Sequence, residues 1–393
     1  MKKYLFKRDT LLATACVFLI MGLFSLLPLN THLFDPIKMA LSDLSFNDLA
    51  FSVIKSHKDN GIDKRIVIVD IGQSSRADIA ATIDSVNKGN PSTVALDITF
   101  AGPKDPVADS ALRSALSNTK QLVLAEKIGF HGDSLQRAPN YFRTPNATIG
   151  YINFIGEEDA VIRHYSPSET AGDSTYQSFT SQIVRLSNLQ SFEQLSRRPQ
   201  GSTLITYRRD ASQYLTIDHA ALLRGEVDLS VLDGKIVLVG LANTNANDIE
   251  DKFFTPLNKK FAGKSTPDLN GIYIHANILS MVMDQDYTKK VPGWLMMLVS
   301  VIVVWLHMAF FLKYYIEKHI WFHLVVKSVQ LVSAVLFIYF GILLISKAGI
   351  QANFTMMLGG VVLAVDVLYF YEGLAQWLRK KFHIPTVFPG DHH

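Results

Sequence analysis

Four apolar segments constrain this 393-residue chain more than any other feature, and their placement is lopsided. One lies near the amino end, from Leu11 to Leu29, and three crowd the carboxyl end at 294–312, 320–345 and 352–374. A helix of about 20 apolar residues crosses a ~30 Å hydrocarbon core, and each segment passes that length test. Residues 31–292 between them read as ordinary globular sequence. The composition, 48% hydrophobic and 19% charged, averages these two unlike parts.

Lys2, Lys3, Lys7 and Arg8 precede the first segment as the n-region of a signal peptide would. The apolar run is long, however, and no small-x-small cleavage site follows it, so an uncleaved anchor is expected. Ala13-Thr14-Ala15-Cys16 lies too close to the polar start to serve as a lipoprotein cleavage box. Basic residues set the orientation. The amino terminus, the Lys313–His319 loop with Lys313 and Lys318, and Arg379-Lys380-Lys381 all favour the cytoplasm, whereas the loop between the third and fourth spans carries only Lys347. The expected plan has four parts: a cytoplasmic stub and span over 1–30, an extracytoplasmic domain over 31–292, a three-helix bundle over 293–378 and a cytoplasmic tail over 379–393. A bacterial inner-membrane protein with both termini inside fits this plan. Only Arg379 to His393 follow the last span, so no output enzyme is expected inside the cell. The tail HIPTVFPGDHH reads as a disordered end, with a docking peptide or a weak metal site as alternatives.

The single cysteine, Cys16, lies in the first segment, so the exported domain has no disulfide and must be held by its core. The net charge of +3, with no basic cluster interleaved with aromatics in that domain, argues against nucleic acid as a partner.

Within the exported part, residues 31–60 suggest a juxtamembrane helix. IVIVDIG (66–72), TVALDITF (93–100), QLVLAEK (121–127) and KIVLVGLA (235–242) are short β-branched runs of the kind buried in parallel sheets. Helices are expected over Ala77–Val86 and from Asp109 to Leu116, and the β-α-β-α-β order implies a doubly wound sheet. TIGYINF (148–154) and AVIRHYSP (160–167) suggest an antiparallel pair around Gly156–Asp159. TLITYR (203–208) is a further strand, and SFTSQIVRLSNL (178–189), the run after Asp218 and IYIHANILSMVM (272–283) are helical. The fold class is mixed α/β, with a doubly wound extracytoplasmic sheet domain plus four transmembrane helices.

The ordered blocks IVIVDI, TVALDITFAGPKDPVADSAL, IGYINF…DAVIRHY, LDGKIVLVGLAN…D…TPL and GIYIHANIL resemble the type-2 CHASE domain. That is an extracytoplasmic sensory module of bacterial cyclases, histidine kinases and serine/threonine kinases. The resemblance spans roughly residues 40–290, and the three helices that follow also match the family layout. It implies a sensor that works as an oligomer. Two departures stand out. The family's Trp/Pro/Arg-rich stretch after the first strand is replaced by GQSSRADIA, which retains only Arg76, and the usual signalling enzyme does not follow the last helix.

Asp70 and Asp97 stand near the C-terminal ends of the first two expected strands, where open α/β sheets bind ligands. They are candidates for a polar ligand or for acid/base work, against the plainer expectation that they cap the following loops. Asp105, with Asp109, matches the family's acidic loop. Asp248, near Asp251, Thr255 and Pro256, follows the KIVLVG strand and completes the candidate ligand set. His275 is expected to be a hydrogen-bonded core residue rather than a pH switch. No Ser-His-Asp, Cys-His or zinc-ligand spacing and no phosphate loop is visible, so no catalysis, cofactor or metal is expected.

In the membrane part, His307 and Asp366 lie about 14 residues from the outer ends of their segments, and Lys327 about 7 from the inner end of its own. At ~1.5 Å per residue all three reach the cytoplasmic half of the bilayer. A charge at that depth costs about 2.5–3.5 kcal/mol on insertion scales, so Lys327 and Asp366 are expected to pair, with His307 and Gln330 close by. Gly359-Gly360 permits close helix approach. These features point to a non-enzymatic membrane sensor whose exported domain detects a ligand or envelope state and signals through its bundle to a separate partner. The alternative is a structural or docking subunit of a multiprotein envelope complex for secretion, motility or surface assembly.

Overall fold

The computed structural model describes residues 2–26, 61–131, 134–154, 161–199, 201–243, 250–258, 267–317 and 320–389. The chain divides into two compact units, Leu41–Tyr287 on one hand and Met1–Ala40 with Thr288–His393 on the other. The juxtamembrane helix read over 31–60 lies outside the described residues.

The first unit is built on a seven-stranded sheet. Its strands are β1 (Ile66–Asp70), β2 (Thr93–Leu96), β3 (Leu122–His131), β4 (Ser134–Ala138), β5 (Ala147–Tyr151), β6 (Leu215–Asp218) and β7 (Ile236–Gly240). The order is β6-β1-β7-β2-β3-β4, with β5 also on β3. All pairings are parallel except β3–β4. The central strands are continuous apolar runs because both faces are covered, and their side chains alternate between two cores. Val67, Val69, Val94, Leu96, Val237 and Val239 pack toward helices α1 (Arg76–Lys88) and α2 (Pro106–Ser117). Ile66, Ile68, Ala95, Val123, Ile236 and Leu238 pack toward α3 (Phe179–Ser187) and α4 (Gly271–Met283). Helix starts follow side-chain chemistry. Ser75 and Asp78 form a capping box on α1, Asp105 with Pro106 opens α2, and Ser178 caps α3.

One sequence expectation needs correction, and the sheet adds two features that the strand patterns did not define. The 148–154 run does not pair with the 160–167 run; as β5 it lies parallel to β3, while His164–Tyr165 pairs antiparallel with Thr203–Leu204. The turn expected at Gly156–Asp159 lies outside the described residues. β6 was not anticipated, because an edge strand with Leu215 and Asp218 exposed lacks the apolar run of its neighbours. β7, last in sequence, sits between β1 and β2, where all five of its residues can be buried.

Among the described residues, the second unit contains four helices long and apolar enough to cross a membrane, at Arg8–Leu26, Gly293–Ile316, Phe322–Ala348 and Thr355–Phe382. The first, second and fourth pack closely around Ala13, Val17, Val304, Met308, Ala364 and Leu368, and the third is the least buried. Gly360 allows this approach: a Cβ there would stand 2.5 Å from Val304 Cγ2, and one on Gly359 would stand 3.2 Å from Met21 Cε. The tail departs from its expected disorder. Thr386 Oγ1 and the Val387 amide donate to the Asp9 carboxylate at 3.0 and 2.9 Å, and the Phe388 ring is buried against Tyr315 and Tyr371.

Candidate functional site

The strands β1, β2 and β7 end together, and beyond them Ile71, Asp97 and Leu241 border a crevice of about 280 Å³. Asp251 and Lys127 bring further charge to its lining, and Phe154 and Phe253 supply aromatic wall, their rings 5.4 Å apart. The N-terminal turn of α4 closes one side through Gly271 and His275. Asn270, the residue at the helix start, makes no side-chain cap and instead donates to the Glu250 and Asp251 carbonyls. The Gly271 amide donates to the Asp251 carbonyl at 3.2 Å, so the Asp251 backbone and the Asn270 side chain together brace the start of α4.

His275 is only 4% exposed, and among the described residues its Nδ1 has no hydrogen-bond partner. Its ring lies 4.6 Å from Phe154 and 5.2 Å from Phe179. Burial pushes its pKa down to about 3, so the imidazole is neutral across the physiological range. The expectation of a hydrogen-bonded core histidine therefore fails on the bond, and a switch near pH 6 fails on the environment. A neutral ring with an unsatisfied nitrogen on a crevice is suited to a ligand that can donate or accept a hydrogen bond.

The other candidates fare differently. Asp70 Oδ1 accepts from the Gly72 and Ala242 amides at 3.1 and 2.9 Å, and Asp105 Oδ1 accepts from Ala108 at 2.8 Å, so both carboxylates serve as caps. Asp97 lines the crevice, whereas Asp248 lies outside the described residues. Arg76, the remnant of the family's stretch, is buried, ion-paired to Asp109 at 2.5 Å and set among Phe100, Tyr141 and Phe142. Lys127 was missed, although the rule applied to the ends of the first two strands would have found it at the third. Nor did spacing reveal that Ser74 Oγ lies 2.9 Å from His219 Nε2. Ser74 also bonds the Ile71 carbonyl and His219 Nδ1 lies 3.1 Å from the Asp70 carbonyl, so the pair ties the β1 loop to the residue after β6.

Helix α4 connects the crevice to a polar clamp at its other end. Ser280 Oγ donates to Asp63 Oδ2 at 2.7 Å, Arg65 bridges Asp63 and Asp284, and Arg208 binds Asp286. Burial alone would raise the Asp63 pKa, but hydrogen bonds from Arg65 and Ser280 prevail and hold it at about 2. Beside the crevice, Asp268 accepts from the Thr255 amide at 2.8 Å and the Thr255 hydroxyl at 2.6 Å. Here burial prevails and lifts the pKa to about 6. Its protonated form is thus favoured by folding, a contribution present below about pH 4 and lost as pH rises through 6. Asp268→Asn is expected to stabilise the protein by about 1–2 kcal/mol at pH 7.5 and by little at pH 4. Thermal unfolding at the two pH values checks this, and equal midpoints at pH 7.5 would refute it.

In the membrane-type helices, His307 Nε2 meets Ser333 Oγ at 2.9 Å and Nδ1 meets the Val303 carbonyl at 2.8 Å. The expected ion pair between Lys327 and Asp366 is not formed within the chain; both residues are exposed on the bundle surface. Gln330 occupies the contact instead, its Nε2 donating to the Val361 and Val362 carbonyls, and Lys327 is left on the flank.

The family model of the CHASE2 domain matches residues 13–312. No curated protein and no solved structure matches the chain.

Proposed function

The chain belongs to the CHASE2 domain family, and from that premise we propose that it is an inner-membrane sensor with a doubly wound, extracytoplasmic ligand-binding domain. The observation that carries this reading is the buried, unpartnered His275 on a crevice at converging strand ends. The mixture of carboxylates, a lysine and aromatic wall favours a small polar ligand, with a zwitterion matching both signs of charge. Helix α4 is the transmitting element. Its residues are buried from Gly271 through Val282, and the chain runs from it by a short connection, Asp284 to Pro292, into the second span. A ligand that prefers one placement of α4 shifts the population of the states that α4 couples to the bundle. The bundle then passes the signal to a separate membrane or cytoplasmic protein, and the reading assigns the domain itself no catalysis. Positive-inside charge supports an outward domain with both termini in the cytoplasm.

One observation favours a second reading, a docking subunit of an envelope complex. The family's Trp/Pro/Arg-rich stretch is missing, and its remnant Arg76 is committed to an internal ion pair.

The test is a thermal-shift screen of the full chain in mild detergent against amino acids, amines, sugars and small dicarboxylates. A ligand at saturating concentration is expected to raise the unfolding midpoint by about 5 °C or more. Gly271→Val should abolish that shift, since a Cβ there already stands 3.3 Å from the Phe253 ring and narrows the crevice. A shift that survives this substitution, or stoichiometric envelope proteins retained with no responding ligand, would favour the docking reading.

A further inference from the structure

Lys327 and Asp366 remain exposed on helices that the family layout and their own apolarity place in a membrane. Neither side chain makes an ion pair or hydrogen bond among the described residues. Their flanks are apolar and equally exposed: Leu324 and Leu331 beside the lysine, Val362 and Phe370 beside the aspartate. A lysine can extend its stem toward the interface, but an aspartate is too short to do so. Asp366 is therefore the group that requires a donor from outside its own chain.

The two residues lie at one level. Gln330 on the third helix binds the carbonyls of Val361 and Val362 on the fourth, while Phe337 and Phe340 meet Phe354, so the helices run antiparallel. From the Gln330–Val362 contact, Lys327 is about 4.5 Å and Asp366 about 6 Å in the same direction along the bundle. A two-fold axis along the membrane normal preserves depth. Opposite charges at equal depth on one chain are therefore self-complementary across such an axis.

We propose that the exposed faces of the third and fourth spans form a two-fold interface with a second copy of this chain, in which Lys327 meets the partner's Asp366 and Asp366 meets the partner's Lys327. Each contact is an ion pair removed from lipid and surrounded by apolar packing, so the charges select the partner while the flanking Leu, Val and Phe side chains supply the contact area.

The experiment uses two differently tagged full-length copies, reconstituted together in lipid nanodiscs and tested by pull-down. Unaltered copies should associate. Lys327→Asp alone and Asp366→Lys alone should each reduce self-association by about tenfold or more, because every contact becomes like-charged. Mixing the Lys327→Asp copy with the Asp366→Lys copy should restore association, since the two altered surfaces are again complementary, and that recovery also shows that both variants fold. Restoration only when both changes are placed in one chain, and not in the mixed pair, would assign the contact to a single chain and overturn the proposal. Absence of association between unaltered copies, association indifferent to either reversal, or loss that no combination restores would overturn it as well.

Discussion

Gly150→Ala is expected to lower the unfolding midpoint of the sheet unit by about 6–12 °C, which corresponds to about 3 kcal/mol for a domain of this size. A Cβ at Gly150 would stand 2.5 Å from Phe179 Cα and 2.8 Å from Phe179 N. These are backbone atoms at the first turn of α3, so no rotamer change relieves the overlap and the helix must move as a body. Phe179, Ile183 and Val184 on that helix are fully buried and seal one face of the sheet. Because the Phe179 ring also packs on His275, the same substitution should weaken any ligand response of the crevice. Gly129→Ala is the control, since a Cβ there meets nothing within 4 Å and its midpoint should hardly change. A Gly150→Ala protein that melts with the unaltered one would show that α3 docks less tightly than its geometry implies.

Gly150 illustrates what could be read from sequence and what could not. β1, β2 and β7 were legible because a strand buried on both faces must be a continuous apolar run, a property of the strand itself. Their lateral order was not, since insertion of β7 between β1 and β2 is decided by partners far away in the chain. β5 misled for the same reason: its pattern is that of an edge of either kind, and the choice of a parallel place beside β3 belongs to the sheet. The four membrane-type helices were legible because length and apolarity are local, although the fourth runs eight residues past its apolar segment, to Phe382.

The candidate site divides along the same line. Strand-end position identified Asp97 and Asp70 alike, yet the Gly72 and Ala242 amides claim the Asp70 carboxylate, and only Asp97 reaches the crevice. His275 was singled out from its helix, but its surroundings were invisible, because Phe154 and Phe179, distant in sequence, supply the rings that face it. Lys327 and Asp366 lie on the same side of the Gln330–Val362 contact along the two helices. Their pairing within the chain failed because depth fixes only the coordinate along the helix, and the angle around it is set by Gln330.

Asp9→Ala is expected to release the docked tail and to speed proteolytic cleavage near Thr386 by about tenfold or more. Asp9 is 4% exposed in the first turn of the first span, and its carboxylate receives the Tyr371 hydroxyl at 2.9 Å as well as Thr386 and Val387. Hydrogen bonds to a charged acceptor contribute about 1.5–3 kcal/mol each, so loss of this one side chain outweighs what the Phe388 ring alone can retain. Asp9→Asn keeps one carbonyl oxygen and should fall between the two, an ordering that separates loss of the acceptor from loss of fold. Unchanged protection of the tail in Asp9→Ala would show that Phe388 burial suffices to hold it. The carboxylate joins three segments distant in sequence: the first span, the fourth span through Tyr371, and the tail. A displacement of the first span against the fourth therefore moves the acceptor that holds both Tyr371 and the tail. Tail protection, measured with and without a ligand in the crevice, then reports whether ligand binding to the sheet unit is felt at the Asp9 carboxylate. A ligand that stabilises the protein yet leaves tail cleavage unchanged would show that its binding does not alter the contacts of Asp9.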